Sequence, residues 1–112
     1  MKYALLIYTK PTSDESASEA DSTAVHDEYM ALAGEPGCVG GAHLQPVETA
    51  TTVRLADGQT LVTDGPFADT KEVFAGFFMF EAENLDDATA VAARIPAVRF
   101  GGSVEVRPIV EM

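Results

Sequence analysis

The 112-residue sequence predicts an α+β domain, and three features carry that prediction. Residues 73–80 form the longest apolar run and read as a strand apolar on both faces, because side chains alternate along a strand. Residues 50–63 read as a tight hairpin around Asp57-Gly58, a pair that tolerates the positive φ such turns need. Two segments with apolar residues at helical spacing, around Val25 and Ala88, separate the strands. Helices gathered on one face of a mostly antiparallel sheet define the class.

In chain order, residues 2–8 contain Tyr3, Ile7 and Tyr8 and read as a buried first strand, broken at Lys10-Pro11. A helix is expected over roughly 18–33, with Val25, Tyr29 and Leu32 as its buried stripe and His26 and Met30 beside it. Gly34 and Pro36-Gly37 end it. Residues 38–46 form a strand interrupted at Gly40-Gly41, where a bulge or close backbone approach is expected. The hairpin then leads into the turn Asp64-Gly65-Pro66-Phe67 and the phenylalanine-rich strand. Alternation there assigns Phe74, Gly76, Phe78 and Phe80 to one face, and Val73, Ala75, Phe77 and Met79 to the other.

Asn84 caps a second helix, with Asp86 and Asp87 in its first turn, where the helix dipole favours acids. Leu85, Ala88, Ala92 and Ile95 make its inner face, and Pro96 closes it. Residues 103–110 supply a last strand, with Glu105 and Arg107 on one face as an expected ion pair. The split βαβ, ferredoxin-like layout with an added hairpin is the simplest arrangement of these elements. Two alanine-rich helices cover one sheet face. The other must be covered by a second copy, so a homodimer is expected.

Size and composition fit a single domain over residues 1–112 with a core of its own. No apolar run approaches the ~20 residues of a membrane span. The opening segment reads as a strand and not as a signal peptide, and the single Cys38 fits a cytoplasmic location. Net charge is −11, with eight acids and no Lys or Arg between residues 11 and 53. Such a surface repels phosphate backbones and anionic membranes, so neither nucleic acid nor membrane is an expected partner.

The segments Thr63-Asp64-Gly65-Pro66-Phe67, Thr70-Lys71-Glu72 and Gly101-Gly102-Ser103-Val104-Glu105-Val106-Arg107-Pro108 resemble the DGPF branch of the YCII-related family. The opening MKYALLIY and the hairpin agree with it, so the likeness spans nearly the whole chain. It implies a small cytoplasmic protein with a dimeric ferredoxin-like, α-β barrel-like assembly. Most of the family has no assigned reaction. A His–Asp acid/base pair has been proposed for it, and members occur beside or fused to extracytoplasmic-function sigma factors. The family's helix histidine, followed three residues later by an aromatic, matches His26 before Tyr29. Its aspartate, placed just before a proline, falls on Ile95, and the first helix ends early at Gly34-Glu35-Pro36-Gly37.

Two readings of function follow. In the first, a cofactor-independent acid/base enzyme of isomerase, lyase or hydrolase type acts on a small aromatic or lactone-like molecule. His26 moves a proton, because imidazole titrates near neutral pH, and Asp64 orients it. Thr63, Phe67, Lys71 and Arg99 line the binding site, Arg99 gripping a carboxylate beside Gly101-Gly102. In the second, the chain is a non-catalytic ligand-binding or regulatory dimer, with a sigma factor as candidate partner. Neither needs a cofactor. His26, His43 and Cys38 lack metal-ligand spacing, and no phosphate loop or dinucleotide motif is present.

Overall fold

A computed structural model describes residues 1–10, 19–66 and 70–111, with the backbone alone at 19–22. The described elements are β1 (Lys2–Thr9), α1 (Glu19–Ala33), β2 (Cys38–His43), β3 (Thr51–Ala56), β4 (Gln59–Asp64), β5 (Val73–Glu81), α2 (Leu85–Ala92), α3 (Pro96–Arg99) and β6 (Ser103–Pro108). One 3₁₀ turn, Val47–Thr49, links β2 to β3. Four strands form an antiparallel sheet in the order β2-β5-β1-β6, while β3 and β4 form a separate two-stranded ribbon. This order is compatible with the ferredoxin-like arrangement expected from the sequence.

The central pair is β1 with β5, running from Lys2 opposite Glu81 to Thr9 opposite Val73. Tyr3, Leu5 and Ile7 from β1 and Phe78 and Phe80 from β5 all point to the helical layer and are buried. Leu32 of α1, Ala88 and Ala92 of α2, and Ile95 and Ala97 around the start of α3 complete that core. Tyr29 of α1 stacks on Phe78 at 6.3 Å between ring centroids, and Phe80 meets Phe78 edge-on at 6.1 Å. Such aromatic pairs contribute about 0.5–1.5 kcal/mol each beyond the area they bury. Small alanines let α2 sit close to the sheet, so this layer is thin.

Several local expectations hold and several change. Asn84 accepts a hydrogen bond from the Asp87 amide at 2.9 Å and starts α2 as an N-cap. Asp57 at φ 52° and Gly58 at φ 80° make the turn of the β3–β4 hairpin. Pro96, expected to close α2, instead opens α3, because its fixed φ and missing amide proton suit the first helical position. Leu85, expected on the inner face of α2, is exposed at the helix start. Phe74 also leaves its expected row. Ile7 faces Gly76 but Tyr8 faces Phe74, so Ala75 is an extra residue that reverses the alternation. Phe74 thereby lies 5.6 Å from the Tyr8 ring and is 39% exposed. No ion pair joins Glu105 to Arg107 among the described residues.

The face away from the helices carries Ala4 and Leu6 of β1 opposite Met79 and Phe77 of β5. It has no second layer among the described residues. The molecule measures 45 × 42 × 20 Å, and its short dimension corresponds to one sheet and one helical layer.

Strands β2 and β5 approach closely at Gly41 and Gly76. A Cβ at Gly76 would lie 2.5 Å from the Ala42 carbonyl oxygen, and one at Gly41 would lie 2.5 Å from that of Phe77. Both neighbours are backbone and cannot swing aside. Gly76→Ala is therefore expected to cost about 1–3 kcal/mol, the usual range for overpacking. Urea unfolding measures it, and an unchanged midpoint would contradict this packing.

Candidate functional site

The residues singled out by type fall in three places. His26 lies on α1 and is exposed. Thr63 and Asp64 end β4, and Lys71 precedes β5; all three are exposed. Arg99 ends α3, and Phe67 lies outside the described residues. Among the described residues, no hydrogen bond or ion pair joins His26 to Asp64 or to any other carboxylate.

Asp64 ends β4, paired through the ribbon with Thr51, and the turn expected from it runs into Phe67, outside the described residues. The base of the ribbon is closed by other groups. The Gly65 amide donates to the Ala50 carbonyl at 2.7 Å, and the Thr52 hydroxyl donates to the Gly65 carbonyl at 2.7 Å.

Ile95 decides more than either of these. It stands at the N-cap position of α3, where the resemblance would place a carboxylate, and it is only 1% exposed. A charged group there would be taken out of water among Leu5, Ala92 and Ala97, with only the first amides of α3 to offset a cost of several kcal/mol.

The structure does assemble a polar cluster at the end of the sheet where β1 finishes and β5 and β6 begin. Ser103 donates its hydroxyl proton to the Glu72 carboxylate, at 3.0 Å and 3.2 Å from its two oxygens. Thr70 donates to the Glu72 carbonyl. On the helical side, Arg99 grips Glu28 of α1 through two bonds, Nη1 to Oε2 at 2.6 Å and Nη2 to Oε1 at 2.8 Å. The same guanidinium lies 4.9 Å from the centre of the Phe100 ring. Arg94 makes a parallel contact from the end of α2 to Glu35. These pairs tie α1 to the α2–α3 segment, and sequence reasoning missed them. Glu28 and Arg99 lie 71 residues apart, and nothing in local spacing connects them.

Arg99 therefore already holds a carboxylate, and that carboxylate is the chain's own. Its hydrogen bonds hold Glu28 below the ordinary carboxylate range; slight desolvation opposes this and the charge of Arg99 adds to it. The same bonds raise Arg99 above its ordinary value. No group of three or more His, Cys, Asp or Glu is placed to hold a metal ion among the described residues. None of the described helices is long and apolar enough to cross a membrane.

Comparison with known proteins supports the likeness at the level of the YCII-related family. The family model described as YCII-related domain matches residues 1–112. An uncharacterized protein of Rhizobium meliloti (strain 1021) is 39% identical over 121 aligned residues, which cover 97% of this chain and 92% of that protein.

The Glu28–Arg99 pair sets a sign for acid behaviour. A carboxyl whose folded pKa is depressed stabilises the fold above its unfolded pKa, and loses that contribution as pH falls through the folded value. Glu28→Gln is expected to flatten the fall in Tm between the ordinary carboxylate range and more acidic pH. The effect will be small, because both groups are exposed and screened. Melting curves of both proteins across the acid range check it, and a steeper fall in the variant would contradict the assignment.

Proposed function

The chain belongs to the YCII-related family, and from that premise we propose that it works as a ligand-binding or regulatory homodimer without catalytic turnover. Ile95 carries the reading: the place of the expected acid is filled by a buried aliphatic side chain. An exposed His26 without a bonded carboxylate among the described residues supports it. A proton-transfer site needs a base held by a second group, and the acid/base reading with His26 and Asp64 lacks that contact in one chain.

The Asp64-Gly65-Pro66-Phe67 motif supports membership of the DGPF branch. The second copy is supported by the open sheet face. Leu6, Phe77 and Met79 lie there, with Tyr8 and Phe74 at one end. Its paired flanking charges are Glu105 opposite Leu6 and Arg107 opposite Ala4, which cancel. In a chain of net charge −11, this nearly neutral apolar face is where two copies can meet without strong repulsion. Two such faces would enclose an aromatic-lined space in a barrel-like assembly. A small aromatic acid or lactone-like molecule is the ligand class proposed for it, and an extracytoplasmic-function sigma factor is the proposed regulatory partner.

A thermal-shift series with small aromatic carboxylic acids, on wild type and His26→Ala, tests the reading. A ligand at a hundred times its Kd adds about 2.7 kcal/mol of stability. The expected result is stabilisation by at least one acid, equal in both proteins. Stabilisation lost in His26→Ala, together with conversion of the acid by wild type, would restore the catalytic reading.

A further inference from the structure

The β3–β4 ribbon stands apart from the core. Of its twelve strand residues only Thr52 is even half-buried, and every other side chain is exposed. Yet its composition is not that of a solvated loop. Val53 faces Val62 directly across the ribbon, at 63% and 60% exposure, and Leu55 beside them is 76% exposed. Alternation puts these three on one side, while Leu61, itself half exposed, lies on the other with Arg54. A lone two-stranded hairpin is at best marginal in water and gains stability by packing against something else. Four large aliphatic side chains on it mark a contact surface.

Area and charge identify the occupant. The chain exposes 7926 Å², whereas a compact 11.9 kDa monomer is expected to expose about 6,000 Å². Its radius of gyration is 15.9 Å, against about 13 Å for a compact chain of this length. Even half of that surplus area exceeds the ~800 Å² that each partner contributes to a standard interface. The ribbon carries only Arg54, Asp57 and Asp64 as charges, so it is one of the least acidic parts of an acidic molecule. A basic partner would be drawn elsewhere, to the stretch of eight acids without a cation. A second copy is not repelled here. The same chain also offers a matching apolar surface, the open face of its four-stranded sheet. A six-residue strand extends about 20 Å, and four strands span about 14 Å, so the ribbon is long enough to cross such a face.

We propose that the β3–β4 ribbon is an arm that packs its Val53, Leu55 and Val62 side over the Tyr8 and Phe74 end of the open sheet face of a second copy, reciprocally about a two-fold axis, closing the space that the two faces enclose. This rests on the homodimer reading above and adds the element that makes the contact. It also gives Thr63 and Asp64 a position at the subunit boundary, since they form the root of the arm.

A photoreactive benzoylphenylalanine at position 55 tests the arm. Irradiation is expected to give a covalent dimer, with the cross-linked peptide mapping to β1 or β5 of the other copy. In parallel, a Val53→Lys, Leu55→Lys variant should dissociate at concentrations at least ten-fold higher than wild type. Its far-ultraviolet dichroism should be unchanged, because both side chains are exposed in the single chain. A wild-type dimer that gives no intermolecular cross-link, or whose dissociation the double variant leaves unaltered, overturns the arm and leaves the homodimer standing. A wild type that is monomeric overturns both.

Discussion

The pairing of β1 with β5 governs the rest of the structure. These two central strands are apolar on both sides, and the described helices cover only one. The alternation that sends Leu5 and Phe78 into the core sends Leu6 and Phe77 to the opposite face. No rearrangement of a strand can avoid this, since a slip of one residue only exchanges the two sets. Among the described residues the helical side is therefore completed and the sheet side is not. The proposed self-association begins from that asymmetry and not from any motif.

The same asymmetry bears on the candidate site. Residues on the helical side have been recruited to hold the layer together. Ile95 fills the core, Glu28 and Arg99 clasp α1 to α3, and Glu35 receives Arg94. The exposed candidates His26, Thr63, Asp64 and Lys71 are spread over α1, the ribbon root and the loop before β5. No bond among the described residues joins His26 to Asp64 within one chain. In the proposed assembly the ribbon root of one copy would approach elements of the other.

Much of this was legible in the residues alone. The hairpin followed from Asp57-Gly58, the cap of α2 from Asn84, and the central strand from its phenylalanines, because each depends on neighbours in sequence. The errors have a common origin in tertiary context. A bulge at Ala75 turned Phe74 out of its row, although its neighbours alternate as expected. Pro96 began a short further helix, as its fixed φ and missing amide proton allow, where the end of α2 was expected. The Glu28 to Arg99 clasp could not be foreseen, because 71 residues separate its two ends. The family likeness was carried by spaced motifs along the chain, and Ile95 stands where that likeness would place an acid.

The described residues of one chain leave its central sheet half covered, and sedimentation equilibrium at micromolar protein measures the consequence most directly. Twice the 11.9 kDa chain mass is the result expected if a second copy supplies the missing layer. A single species at 11.9 kDa, unchanged with concentration, would mean that the Leu6 and Phe77 face meets water unaided, and would contradict it.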